Sequence, residues 1–217
     1  AEKPGKIWWK EAFVPGQMVP FSVFFMKDTP DNERAKVRYH LQYCFHSTQE
    51  THPSPEELSP YNTRILQYGQ NQWYLFTLEG GAFIAFDAPD TPFFNSTLTE
   101  RLSSQYFLLF LLTMQQRFGL LNISDTVSEY WLRNFDSVTG KQTLFSKIRK
   151  LRNIRESETK RSRAFEAIRD TMLEFTARGH FTQVTQNEWH HRYYKKWQEV
   201  FQIQGLYDEV NDEVREM

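Results

Sequence analysis

The chain has almost no cysteine, since Cys44 is the only one among its 217 residues. A single thiol excludes an internal disulfide and a zinc site built from several cysteines, and it fits a reducing compartment. Long apolar runs are also missing. The longest, residues 106–112, has seven residues where a membrane-spanning helix needs about 20. The first residues, AEKPGKIWW, lack the charged start and apolar centre of a signal peptide. We therefore expect a soluble domain in the cytoplasm.

Net charge is nearly absent as well. Lys and Arg number 26 and Asp and Glu number 27, which gives a formal net charge of -1. This balance excludes a general attraction to nucleic acid or anionic lipid, so any electrostatic function must be local. Hydrophobic residues make up 40% of the chain and aromatic residues 16%, enough to fill a sizeable core. We predict a single folded domain over residues 1–217.

Motifs for catalysis and metal binding are missing too. The sequence has no Gly-x-Ser-x-Gly nucleophile elbow, and Gly80-Gly81 lacks the Lys and Ser or Thr of a phosphate-binding loop. His190 and His191 are adjacent, so on a helix they point in different directions and do not suit a shared metal. We predict that the chain is not an enzyme, with no catalytic residue and no cofactor apart from a candidate divalent cation.

The first half of the chain has the patterns of β-strands. Residues 21–26, FSVFFM, form a short apolar run bounded by turn residues, and residues 37–45 alternate apolar with polar side chains. Two apolar runs within residues 73–86 flank Gly80-Gly81, which predicts a hairpin because glycine tolerates positive φ angles. The segment HPSPEELSPYN between them predicts an exposed loop. Residues 1–95 are thus expected to form a β-rich layer.

The second half, residues 96–217, has the spacing of helices. Apolar residues recur at helical spacing over residues 96–121, on several sides, which predicts a central core helix. A long helix is predicted over residues 143–177, ended by Gly179, and a last helix from about Gln186 with a kink at Gly205. The fold class expected is α+β, an N-terminal antiparallel or mixed β-sheet packed against long C-terminal α-helices. The helix over 143–177 should pack along the helix over 96–121.

Three segments resemble a known group of membrane proteins: RYHLQYCF, QYFLLFLLTMQQRFGLL and, above all, residues 165–217. Their order is similar to the soluble portion of bacterial membrane proteins distantly related to the CorA family of divalent-cation channels. The resemblance implies a homo-oligomer at the cytoplasmic face of the inner membrane, with an assembly, sensing or gating role beside metal ion transport. It also implies two transmembrane helices after Met217. The family's ion-selecting Gly-Met-Asn motif is absent from this sequence, so the resemblance assigns no transport residue.

The two ends of the chain favour the same interpretation. No Met precedes Ala1, and no Gly, Pro or basic last turn closes the helical pattern before Met217. We therefore expect this chain to be a piece of a longer membrane protein.

A basic stretch lies in residues 147–163. Eight basic residues against two acidic ones give a net charge of +6 there (8 - 2). Lipid headgroups, nucleic acid or an acidic ring of a neighbouring subunit could bind this surface. The alternative, which we favour, is a solvated helix face. The runner-up function is a soluble binding module that uses this basic helix on nucleic acid or an acidic partner, although we do not expect nucleic acid. The basic residues are Lys147, Arg149, Lys150, Arg152, Arg155, Lys160, Arg161 and Arg163.

An acidic face is predicted near the end of the chain. Asp208, Asp212 and Glu216 are spaced by four residues, which places them on one side of a helix. Such a face is a candidate site for a divalent cation or for contacts between subunits. Hard cations need several convergent oxygen ligands, so we favour a solvated acidic face and leave the metal unknown.

Overall fold

The computed structural model describes residues 19–43, 53–59, 61–135 and 146–216, with side chains described except for 131–135 and 146–161. The described residues form a four-stranded mixed sheet and several helices, so the α+β prediction is confirmed. They divide into two compact units. We call residues 19–43, 53–59, 61–114 and 183–203 the sheet unit. Residues 115–135, 146–182 and 204–216 form the helical unit.

The sheet has the strand order β1-β4-β3-β2. Strand β1 runs parallel to β4, whereas β4 with β3 and β3 with β2 are antiparallel. The predicted hairpin is confirmed, since β3 and β4 pair with Trp73 opposite Ile84. The strands are β1 (Phe21–Met26), β2 (Ile65–Gly69), β3 (Gln72–Phe76) and β4 (Gly81–Phe86).

Glycine is needed in this hairpin for a reason other than the predicted positive φ. A Cβ at Gly80 would lie 2.6 Å from the backbone oxygen of Pro20, because the residues that lead into β1 approach the turn closely. The φ angle of Gly80 lies outside the left-handed region. Close approach therefore selects glycine at this position.

The longest helical segment, which we call α3, runs through residues 93–135. It alternates π-helical turns with α-helix, and its last α-helical part runs without a break from Phe107 to Phe135. Its segments are Phe93–Thr97 (π), Leu98–Arg101 (α), Leu102–Tyr106 (π) and Phe107–Phe135 (α). The other helices are α1 (Asp31–Gln42), α2 (Pro55–Leu58), α4 (Ser146–Arg178), α5 (Glu188–Val200) and α6 (Ile203–Glu216).

The strand predicted over residues 37–45 is wrong where the structure describes it, because residues 31–42 form helix α1. Pro30 precedes this helix, and acidic Asp31 lies in its first turn, where it complements the helix dipole. Val37 and Leu41, four residues apart, pack together against the sheet. Over so short a stretch, Val37 and Leu41 fit both the period of two of a strand and the spacing of four of a helix. Pro30 and Asp31, which mark the start of a helix, decide in favour of the helix. Residues 44 and 45 lie outside the described part.

Two smaller predictions also need correction. The segment predicted as a loop contains the helical turn α2, whose Ser54 and Glu57 bond each other's backbone N–H in a capping box. The kink predicted at Gly205 lies three residues earlier, where Gln202 adopts a φ of 55° between α5 and α6.

The break at Gly179 is confirmed, since its backbone N–H donates to the Phe175 oxygen at 2.7 Å just after α4 ends.

In the sheet unit, helices cover both faces of the sheet. On one face α1 packs against the side chains of Ile65, Leu75 and Ile84. On the other face Tyr74 of β3 meets Tyr106 of α3 and Tyr193 of α5, with ring centroids 5.0 and 4.8 Å away. The predicted packing of the core helix over the sheet is therefore confirmed.

The helical unit has its own core, to which α3, α4 and α6 all contribute. The two long helices do pack together there, but at the end of the predicted 96–121 helix and beyond it, because the Phe175 ring of α4 lies against Gly119 of α3. A Cβ at Gly119 would lie 3.1 Å from that ring. The buried core residues are Ile123, Val127, Ile168, Met172, Val210 and Val214.

Candidate functional site

Strand β1 lies at an edge of the sheet, and no strand among the described residues pairs with its outer side. The carbonyls of Pro20 and Met26 accept hydrogen bonds from the backbone N–H groups of Gly81 and Asp87, at 3.0 and 2.8 Å. The backbone N–H and C=O groups of successive residues point to opposite sides of a strand. The even-numbered residues from Pro20 to Met26 therefore direct these groups toward β4. The odd-numbered residues 21, 23 and 25 consequently direct their N–H and C=O groups toward the outer side.

The side chains around this edge are apolar and exposed. Val23 is 37% exposed and Phe25 is 42% exposed. Phe21 links the strand to α3, since its ring lies 6.4 Å from that of Phe107. Farther along α3, Leu108 is 63% exposed. Contiguous apolar patches on soluble proteins usually mark interaction sites. We call Val23, Phe25, Phe107, Leu108 and Leu111 the apolar edge surface.

The two edges of the sheet differ in how they are protected against pairing. Natural edge strands usually carry charges, proline or bulges that block another strand. At the β2 edge, the register shifts between Gln67 and Gly69, which disrupts a regular edge. In contrast, β1 has an unbroken register over residues 21–26 and contains neither charge nor proline. Of the two edges formed by the described strands, β1 is therefore the one without protection against pairing with another strand.

The basic stretch lies on α4, which is helical over its whole described length. Arg163 is exposed. The side chains of residues 147–161 lie outside the described part, so the partner predicted for this surface stays a prediction.

The acidic face lies on α6, where Asp208, Asp212 and Glu216 are all exposed. The side-chain amide of Gln204 donates to Asp208 at 2.9 Å. Among the described residues, no group of three or more His, Cys, Asp or Glu side chains could hold a metal ion. Within the described part of the chain, the three carboxylates therefore share one helix face but belong to no metal-binding group.

Helix α5 carries Trp189, Tyr193 and Trp197 at helical spacing, and these aromatic residues are core residues for the most part. Tyr193 and Trp197 are fully buried in the sheet unit, whereas Trp189 is partly exposed. Adjacent His190 packs against the ring of Tyr106, with centroids 4.8 Å apart. A continuous base-stacking surface on α5 is therefore excluded.

Sequence reasoning missed the apolar edge surface. The apolar helix over residues 96–121, apolar on several sides, predicts a central core helix, yet Phe107, Leu108 and Leu111 are exposed. The sequence does carry one usable signal, because FSVFFM lacks the charges and proline that protect an edge strand. That signal has meaning only once the strand order is known.

No helix in the described ranges is both long enough and apolar enough to cross a bilayer. Comparisons with family models, curated proteins and solved structures gave no match to this chain.

Proposed function

We propose that this chain is an assembly domain whose sheet pairs with that of a second copy along β1. One observation supports this proposal. Phe21, Val23 and Phe25 direct their backbone N–H and C=O groups away from β4, and their side chains are apolar and lie near the exposed apolar residues of α3. An unprotected edge of this kind is a template for another strand.

An antiparallel pair of β1 strands would place the two-fold axis at Val23. Val23 would then lie opposite the same residue of the second copy, and Phe25 opposite Phe21. Three such pairs exchange about six backbone hydrogen bonds. Each contributes about 1 kcal/mol net, which together with apolar burial opposes the entropy lost on association. The two four-stranded sheets would form one of eight strands.

A second copy satisfies this edge better than an unrelated strand does. It supplies a strand of equal length and hydrophobicity in a closed two-fold arrangement, the commonest symmetry of soluble oligomers. The net charge of -1 adds little repulsion between copies.

The wider role follows from the resemblance to CorA-like membrane proteins. In that setting the domain would lie at the cytoplasmic face of the inner membrane and act in assembly, sensing or gating rather than catalysis. Two apolar segments of about 20 residues encoded after Met217 would support this role. A gene without them would remove the membrane part of the proposal and leave the assembly part.

A charge at the two-fold axis provides the test of assembly. Val23→Lys should dissociate the dimer because like charges directly opposite each other on paired strands repel. Leu173→Lys is the matched control, since it places the same charge on an exposed apolar position of α4. Sedimentation equilibrium over a hundredfold concentration series measures the mass of each protein.

Mixing two variants tests the register. Val23→Lys and Val23→Glu should each be monomeric alone and should form a mixed dimer together. The assembly proposal would be wrong if the parent protein is monomeric throughout the series. It would also be wrong if both single variants keep the parent's mass, or if mixing them restores no dimer.

A further inference from the structure

The exposed side of helix α3 lies beside strand β1, the strand through which the proposed dimer forms. The Phe107 ring lies 6.4 Å from that of Phe21, whereas the preceding residue, Tyr106, contacts Tyr74 of β3 at 5.0 Å. Helix α3 therefore directs Tyr106 toward the centre of the sheet and Phe107 toward the β1 edge. Leu111 lies one turn after Phe107 and so shares its side of the helix.

The exposed side chains of β1 lie on the face of the sheet that α3 covers. Alternate residues of a strand share a face, so Val23 and Phe25 lie on the same face as Phe21, which contacts Phe107. Helix α3 covers Phe21 but leaves Val23 and Phe25 partly exposed. The uncovered side chains of β1 and the exposed side of α3 therefore belong to one face of the sheet.

Strand pairing alone buries too little apolar surface for a stable dimer. A large apolar side chain offers about 200 Å² when fully exposed, so the exposed fractions of Val23 and Phe25 offer about 150 Å² together. A standard interface buries about 800 Å² per partner, of which a little over half, or about 450 Å², is apolar. On the same scale, Phe107, Leu108 and Leu111 offer about 300 Å² more. The whole apolar edge surface thus reaches the area that a dimer needs, and α3 supplies most of it.

The proposed strand pairing brings α3 of each copy to the dimer interface. Residues directly opposite each other in an antiparallel pair have their side chains on the same face, so both α3 helices lie on one face of the joined sheet. Phe25 of the second copy lies opposite Phe21, with Cβ atoms about 5 Å apart. Because Phe107 already lies against Phe21, it is the α3 residue next to Phe25 of the second copy.

We infer, on the basis of the proposed function, that α3 completes the dimer interface and that Phe107 of each copy contacts Phe25 of the other. Leu108 and Leu111 are buried beside this contact. An unrelated peptide strand could pair with β1 but would bring no helix to cover these leucines. A second copy covers both the strand edge and the exposed side of α3.

Leu108→Lys tests the contribution of α3. Leu108 is 63% exposed, so a lysine there is solvated in the monomer but must lose its water in the dimer. We expect this variant to raise the dimer dissociation constant about tenfold or more in sedimentation equilibrium. Leu173→Lys, at a position on α4 that is 59% exposed, is the control and should leave the constant unchanged. Circular dichroism should show both variants folded like the parent.

A pair of opposite charges tests the inferred contact itself. Phe25→Lys and Phe107→Glu should each weaken the dimer, because each places one unpaired charge in the interface. The double variant Phe25→Lys/Phe107→Glu brings opposite charges together at both contacts, so it should dimerise about fivefold more tightly than either single variant. These charges cannot pair within one copy, because Phe25 lies about 13 Å along the strand from Phe21. Phe25→Lys combined with Leu173→Glu should restore nothing.

The outcomes separate this inference from the proposed function. If Val23→Lys dissociates the parent dimer but Leu108→Lys and Phe107→Glu leave the dissociation constant unchanged, the inference about α3 is overturned and β1 pairing stands. A double variant no tighter than the single variants also overturns the inferred contact. A parent protein that is monomeric throughout overturns both.

Discussion

Replacing Gly81 by alanine should destabilise the sheet unit, because helix α5 lies directly on the backbone of β4 at this residue. An added Cβ would lie 2.6 and 2.8 Å from Cζ2 and Cη2 of Trp197, and 3.1 Å from the Leu75 backbone oxygen. These distances are far inside van der Waals contact, so either the indole or the strand must move.

The indole has little room to move. Trp197 is fully buried, and its ring centroid lies 4.9 Å from Phe76, 4.8 Å from Phe110 and 4.8 Å from Phe201. Overpacking a tight core costs about 1–3 kcal/mol. We expect Gly81→Ala near the upper end, because one displaced ring pushes on three others.

A second glycine supplies the matched control. Gly205 lies in helix α6, and a Cβ there would meet no heavy atom within 4 Å. Alanine is favoured over glycine in a helix by about 0.5–1 kcal/mol, so Gly205→Ala should stabilise the protein. Opposite signs for the same chemical change test the local packing directly.

Urea unfolding followed by circular dichroism measures both changes, and for a chain of this size 1 kcal/mol corresponds to about 2–4 °C in melting temperature. Trp197→Phe should relieve part of the clash, so the double variant should be more stable than the sum of the single changes predicts. A Gly81→Ala protein as stable as its parent would refute the reasoning. Strict additivity with Trp197→Phe would refute the assignment of the clash to the indole.

Three further outcomes are expected. Asn187→Ala should lower the free energy of unfolding in urea by about 1 kcal/mol, because the Asn187 side-chain oxygen accepts hydrogen bonds from two backbone N–H groups at the start of α5. Asn187→Asp is the control, since a carboxylate can accept the same bonds. Equal stability of the Ala and Asp variants would contradict this role. The folded pKa of His190 is lowered from 6.5 by burial and Arg101, so folding disfavours its protonation and stability should fall as pH drops through about 6.5. His190→Gln should remove this component from stability measured between pH 5 and 8, and an unchanged pH profile would refute it. A triple Gln variant of the basic stretch should weaken binding to anionic liposomes, or oligomerisation of the full-length protein, with little change in melting temperature; if both are unchanged, the stretch is a solvated face. Its three positions are Lys150, Arg152 and Arg155.

Local signals in the sequence predict much of this fold. The β3–β4 hairpin follows from two apolar runs around Gly80-Gly81, and the break at Gly179 follows from glycine after a periodic helix. Helix α1 was mispredicted because Val37 and Leu41 fit a period of two as well as a spacing of four. Pro30 before the helix and Asp31 in its first turn are the sequence signals that favour the helix.

The candidate site depends on long-range pairing, which one sequence does not reveal. β1 pairs with β4 about 60 residues later, and only that parallel pairing makes β1 an edge strand. The aromatic core likewise collects Tyr68, Tyr74, Tyr106 and Tyr193 from β2, β3, α3 and α5. No local motif shows that these elements meet.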